Sequence, residues 1–217
     1  MKSKPVTIAL AVILLLQLSI LGRGADLEAV IRHTQGKVVK IGIVGKKSAG
    51  VCSGAFISSR GIVLTCAHCF EGKGIKKVFV KTEDGAVYPA ALLAYDGVRD
   101  LALVVPDSIG PFPYLKFGPE PSKGQQVLSF GSPLGIQSTV TIGWVTNTIR
   151  KTRSWIILHS AFISPGNSGG PLVDLKGRLV GVNEAMLSYG FMQVAHGLYV
   201  AIDVITVKEF LRNAEAR

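Results

Sequence analysis

The hydrophobic pattern of the chain divides it into stretches of different period. Positions 6–22 form one apolar run of 17 residues behind Lys2 and Lys4. Residues 26–35 then set Leu27, Val30 and Ile31 at helical spacing, which predicts a short amphipathic helix. Beyond it the apolar residues fall in short segments rich in Val and Ile, the pattern of strands with at least one buried face. Segments 38–44, 51–57, 62–65, 77–82, 87–95 and 101–105 form a first series of six predicted strands. Segments 126–130, 139–145, 155–158, 171–173, 179–183 and 197–202 form a second series. Turn sequences (Ser59-Arg60-Gly61, Asp84-Gly85, Lys176-Gly177) separate them at roughly the 8–12-residue spacing of sandwiches and barrels. Residues 107–124 hold Pro111, Pro113, Pro119 and Pro121 and read as an extended linker between the two series. Helical spacing returns in Ile205, Val207, Phe210 and Leu211, predicting a last helix over 204–216. No long helical pattern alternates with the strands, so a doubly wound sheet is disfavoured and an all-β fold is expected.

Composition narrows this further. Of 217 residues, 48% are hydrophobic and 18% charged, which excludes a disordered or low-complexity chain. The 25 glycines agree with tight turns between short strands. The formal charge of +10 would attract nucleic acid, anionic lipid or acidic protein. Outside Lys73/Lys76/Lys77 and Arg150/Lys151/Arg153, however, the basic residues are scattered, and no aromatic platform interleaves them. A solvated basic face is the plainer reading, and no nucleic-acid partner is expected. The basic, then apolar, start of the chain, with no acidic residue before Asp26, has the build of a secretory signal. Gly22 and Gly24 offer small residues for a cut after Gly24. The run is also just long enough to hold the protein to a membrane through residues 5–22. Residues 1–24 are therefore read as a signal peptide or membrane anchor. Residues 25–217 are read as a domain outside the cytoplasm, secreted or periplasmic; loss of 1–24 lowers the charge to +7.

Three segments carry candidate chemistry: Leu64-Thr65-Cys66-Ala67-His68-Cys69, Val98-Arg99-Asp100-Leu101-Ala102-Leu103, and Ser164-Pro165-Gly166-Asn167-Ser168-Gly169-Gly170-Pro171. Singly, each has a bland reading: a core histidine, a strand-end cap, a tight turn. Together they supply a His, an Asp and a Ser, each at a strand end. A serine hydroxyl is a poor nucleophile at neutral pH and needs a base in hydrogen-bond reach, which in turn needs an orienting group. His68 can take the Ser168 proton, and Asp100 can hold the other ring nitrogen. The glycines let the backbone bend until the N–H groups of Gly166 and Ser168 meet at one point, an oxyanion hole taken here as Gly166, Asn167 and Ser168.

These motifs resemble the trypsin-like (chymotrypsin-fold) serine proteases of the HtrA/Deg type. Gly-Asn-Ser-Gly-Gly-Pro, Thr-x-Ala-His and Asp-Leu-Ala-Leu carry the resemblance, with Phe130-Gly131-Ser132-Pro133-Leu134-Gly135, Thr141-Ile142-Gly143 and Gly181-Val182-Asn183. It covers roughly residues 30–212. The chain order His, Asp, Ser also belongs to this fold. The resemblance implies two six-stranded antiparallel β-barrels, about 37–106 and 125–203, with the active site between them. It implies endoproteolysis of unfolded polypeptide through His68, Asp100 and Ser168, with no cofactor and no metal. The competing class is a protease-fold chaperone or adaptor with little turnover.

Rival motifs are weaker. Gly166-Asn167-Ser168-Gly169-Gly170 fits a nucleophile elbow, but Pro171 and an apolar strand follow where a helix is required. Cys66-Ala67-His68-Cys69 fits a redox motif, but Gly72 and Gly74 interrupt the helix it needs. A zinc site with Cys52 is disfavoured because adjacent His68 and Cys69 side chains point apart. Ile43-Val44-Gly45 imitates an activation-cleavage terminus, but lies too close to His68, and Asn167 replaces the Asp such a terminus would pair with.

The resemblance also marks departures. HtrA proteases usually append a peptide-binding PDZ domain, and none is expected here. Phe162 and Asn183 fall where the family builds its specificity pocket, and no acidic residue occupies the floor, so cleavage after Lys or Arg is not expected. Phe162 either narrows the pocket or points into the core. Trypsin-like proteases bridge the positions of Cys52 and Cys69, which implies that disulfide, with Cys66 a buried free thiol.

Overall fold

The computed structural model describes residues 26–46, 48–72, 74–151, 153–189 and 193–215; the expected signal or anchor segment, 1–24, lies outside them. Among the described residues, helix α1 (Leu27–Gln35) comes first, capped by the Asp26 carboxylate, which accepts from the Ala29 N–H at 3.1 Å. Strands β1 (Val38–Gly45), β2 (Ala49–Phe56), β3 (Val63–Thr65), β4 (Ile75–Lys81), β5 (Val87–Asp96) and β6 (Leu101–Pro106) follow. They close into a barrel in the order β1-β2-β3-β6-β5-β4. Strands β7 (Gln126–Gly131), β8 (Thr139–Lys151), β9 (Ser154–His159), β10 (Pro171–Val173), β11 (Leu179–Tyr189) and β12 (Gln193–Asp203) close a second barrel, ordered β10-β11-β12-β9-β8-β7. Every neighbouring pair is antiparallel. This is the chymotrypsin fold.

Alternation drives the closure. In β1, Val39, Ile41 and Ile43 are buried while Lys40 and Gly42 between them are less so. A sheet with one such apolar face hides it, and its edges, by curling onto itself. Phe56, Leu64, Val80 and Leu101 fill the first barrel; Val127, Val145, Ile157, Leu172, Val180 and Ala201 fill the second. The proline-rich linker is stitched to both. Leu115 N–H donates to Phe56 O at 2.9 Å, Gly118 N–H donates to Leu179 O at 2.7 Å, and Phe112 stacks on Phe56 at 4.6 Å. Helix α2 (Val204–Glu215) leaves β12 directly and buries Val204, Val207 and Phe210. Among the described residues no helix is long and apolar enough to cross a membrane.

The largest departure from the sequence pattern lies in two hairpins. Strand β8 runs to Lys151 rather than 145, and β11 and β12 extend to Tyr189 and back from Gln193. Residues 146–151 are almost all exposed, so neither face shows apolar alternation. Their backbone still pairs with β9, from Asn147–Leu158 to Lys151–Ser154. Hydrophobic pattern reports burial and misses strand held by backbone bonds alone.

Candidate active site

The three motif segments meet in the cleft between the barrels. His68 opens a 3-10 turn just after β3, Asp100 closes the turn between β5 and β6, and Ser168 sits in the loop from β9 to β10. Asp100 has φ +55, a left-handed conformation that Asp adopts more readily than most residues. In this posture it grips the histidine segment at three points. Oδ1 accepts from the His68 N–H at 2.7 Å, Oδ2 meets His68 Nδ1 at 2.7 Å, and its carbonyl accepts from the Ala67 N–H at 3.2 Å. The Asp100 hydrogen bond raises the His68 pKa above its ordinary 6.5, outweighing partial burial, which acts the other way. Ser168 Oγ donates to the Glu184 carbonyl at 3.1 Å.

The serine loop hangs from the first barrel by Ser53, in β2. Ser53 N–H donates to Ser168 O at 2.9 Å. Its hydroxyl donates to Gly166 O at 2.7 Å and accepts from the Ser132 N–H at 2.8 Å. Thr65 Oγ1 in turn donates to Ser53 O at 2.7 Å. Two glycines admit this approach. A Cβ on Gly169 (φ +85) would come within 2.2 Å of Thr65 Oγ1, and one on Gly166 (φ +104) within 2.4 Å of Ser132 O. Leu134 N–H holds Pro165 O at 3.0 Å; across that peptide, which is trans, the Gly166 N–H points the opposite way. Among the described residues neither Gly166 N–H nor Ser168 N–H donates to a backbone carbonyl. The Asn167 N–H differs: it is engaged by Ser164 O at 3.0 Å, so of the expected oxyanion set it is the one amide already committed.

The two residues expected in the specificity pocket separate. Phe162 is 56% exposed, with its edge on the Tyr199 ring at 5.5 Å, so it lies on the surface and not in the core. Asn183 is buried and faces the second barrel, a correction to the pocket reading. Its Nδ2 donates to Ser129 Oγ at 2.9 Å and to the Phe130 carbonyl at 3.3 Å. An amide buried in a barrel wall is retained for such bonds, which cross-link β11 to β7. Beneath the site, Cys52 and Cys69 form a disulfide and Cys66 is a buried free thiol. Cys66 Sγ donates to Asn183 O at 3.3 Å. Ligand atoms of Cys66, His68 and Asp100 lie within 4.8 Å of one another. Burial, then the Asp100 and Glu184 charges, push that thiol's pKa well above its usual value.

Ser53 and Glu184 escaped the sequence reading. The only trace of Ser53 is its place between Cys52 and Gly54; that of Glu184 is one acidic residue interrupting an apolar strand.

The sequence profile of the trypsin-like peptidase domain matches residues 52–182, which span all three segments. The chain belongs to the trypsin-like peptidase family. Its relatives are of the HtrA type. The peptidase is 34% identical over 177 residues to the putative serine protease HhoB of Synechocystis, covering 77% of this chain and 41% of that protein. It is 34% identical over 175 residues to the mitochondrial serine protease HTRA2 of Drosophila virilis, covering 76% and 40%. Among solved structures, the HtrA-type protease AlgW with a tripeptide superposes with a TM-score of 0.77 at 27% identity, over 85% of this chain and 62% of that one. The chain thus spans about two fifths of the length of these curated relatives.

Proposed function

We propose that this peptidase is a serine endopeptidase that cleaves unfolded polypeptide outside the cytoplasm. Ser168 Oγ attacks the substrate carbonyl carbon while His68 Nε2 takes its proton, and the Gly166 and Ser168 amides hold the oxyanion. The C–N bond then breaks, His68 returns the proton to the leaving amine, and water releases the acyl group by the same steps. Asp100 fixes the imidazole tautomer and faces the charge that forms on it. The observation that carries this reading is the pair of hydrogen bonds joining Asp100 to His68, one to the backbone and one to the ring, beside a serine loop with two uncommitted amides. An exposed Phe162, in place of an acidic residue at that sequence position, favours cleavage after small or medium apolar residues such as Val, Ala or Ile. Burying a substrate ammonium there without a partner would cost several kcal/mol. The location rests on the N-terminal segment and on the Cys52–Cys69 bridge, which belongs to an oxidising compartment.

Labelling by a fluorophosphonate probe, followed by mass spectrometry of a denatured-casein digest, tests the reading. Modified Ser168 and cuts after apolar residues are expected. An unlabelled protein that suppresses casein aggregation without cutting it would instead be a chaperone or adaptor on a protease fold.

A further inference from the structure

Glu184 is placed by an irregularity of β11. Asn183 pairs with Ala201 and Ala185 with Val200, so Glu184 is the extra residue of a β-bulge. A bulge leaves one residue out of the ladder and re-aims its side chain. The Glu184 carbonyl is thereby free to accept from Ser168 Oγ. On its other side, among the described residues, β11 loses its partner: β10 pairs no further than Val182, and the serine loop reaches only Asn183, whose carbonyl accepts from the Gly169 N–H and whose N–H donates to Gly170 O. An extended chain entering the cleft can therefore lie along β11 from Glu184 onward.

The carboxylate of Glu184 is half-buried, and no ion pair within 4.0 Å joins it to a described residue. It interacts through space with His68 and Asp100 in the cleft and with Lys151 from the β8–β9 hairpin. His68 also feels Glu71. On a chain of charge +10, His68 thus feels the charge of three carboxylates. Asp100 is bound to that histidine and Glu71 accepts from Tyr95 Oη at 3.0 Å, which leaves Glu184 to meet what enters.

We propose that Glu184 is a specificity-determining residue, whose carboxylate receives a lysine or arginine side chain of the substrate within a few residues N-terminal to the scissile bond. This rests on Ser168 being the nucleophile. It joins two demands: an apolar residue at the cut and a cation beside it. An unpaired carboxylate half out of water gains most from a cation that arrives with the substrate, and the gain is screened by salt.

The test uses the full chain and matched peptides cut at one site, with Lys, Gln or Glu placed in turn at the second, third or fourth residue before the bond. At one of these positions kcat/KM should favour Lys over Gln by roughly fivefold or more at low salt, and Glu should be worst. The preference should shrink in 0.5 M salt. Glu184→Gln should bring the Lys/Gln ratio to about one, Glu184→Asp should keep part of it, and Glu184→Lys should reverse the order. The ratio is the readout, so a general loss of activity in a variant does not obscure it. If Lys and Gln peptides are cut equally by the wild type, or if the preference survives Glu184→Gln, the proposal is overturned while the peptidase reading stands. A Glu184→Gln variant that only shifts the pH midpoint, with the ratio intact, overturns it too: Glu184 would then act on His68 and not on substrate. No cleavage of any peptide and no fluorophosphonate labelling would overturn both.

Discussion

Asp100 holds His68 through one backbone and one ring hydrogen bond, so substitutions at this pair separate geometry from charge. Asp100→Asn keeps the side-chain shape but presents an N–H where the ring needs an acceptor. It should lower kcat by about 10⁴ through the wrong tautomer, with folding intact. Ser168→Ala and His68→Ala should remove almost all turnover; casein cleavage by Ser168→Ala at the wild-type rate would sink the assignment. The pH profile follows from the same bond. The imidazole must be neutral to act as base, and Asp100 raises its pKa above 6.5. Activity should therefore fall as pH drops through a midpoint above 6.5, whereas an isolated histidine would place it at about 6.5. Ser53 makes a separate prediction. Its hydroxyl ties Gly166 O to the Ser132 N–H, so Ser53→Ala leaves a buried amide and a part-buried carbonyl without that partner. It should cost about 1–3 kcal/mol of stability in urea unfolding. It should also reduce kcat more than KM, because Gly166 belongs to the proposed oxyanion loop.

The elements show where the sequence is transparent and where it is opaque. His68, Asp100 and Ser168 stand out as candidates because the chemistry proposed for them is local to short motifs at strand ends. The strands facing the cores were legible because burial writes an alternation into the residues. The outer part of β8 was not, because exposed residues on both of its faces leave no apolar period. Asn183 was misplaced for a related reason: its motif fixes the chain position, but which way the side chain turns depends on strands far away in sequence. The Cys52–Cys69 bridge joins β2 to the turn that carries His68, across 17 positions. Closing such a loop is worth about 3 kcal/mol on a chain-entropy argument. The double variant Cys52→Ala/Cys69→Ala should lose about that much in urea unfolding, and a loss below ~1 kcal/mol would show the barrel to be self-sufficient at this corner.

At the scale of the molecule, the second barrel hides two titrating groups that oppose each other. His159 is buried in β9, and burial lowers its pKa to about 4, outweighing the backbone of Ala161, which acts the other way. Asp203 caps α2 through Oδ1, at 2.8 Å from the Ile205 N–H, while Oδ2 is buried and unpaired; burial raises its pKa to about 6. Between pH 4 and 6.5 the unfolded chain holds more protons on the histidine than the fold does, so His159 makes stability rise with pH. Between pH 3.8 and 6 the fold holds more protons on Asp203 than the unfolded chain does, so Asp203 makes stability fall with pH. Each effect is about 3 kcal/mol across its window, and the windows nearly coincide, so in the intact protein these two contributions largely cancel. Removing one exposes the other. Asp203→Asn keeps a capping oxygen for the helix and abolishes the titration. Acidified from pH 6.5 to 4, it should lose about 3 kcal/mol more than the wild type, as the lone His159 is driven to charge. His159→Gln should show the converse slope, most stable near pH 4 and weakening toward pH 6. Urea unfolding at half-unit pH steps measures both curves, and parallel curves for the wild type and Asp203→Asn would show that the two groups do not set the acid behaviour of the fold.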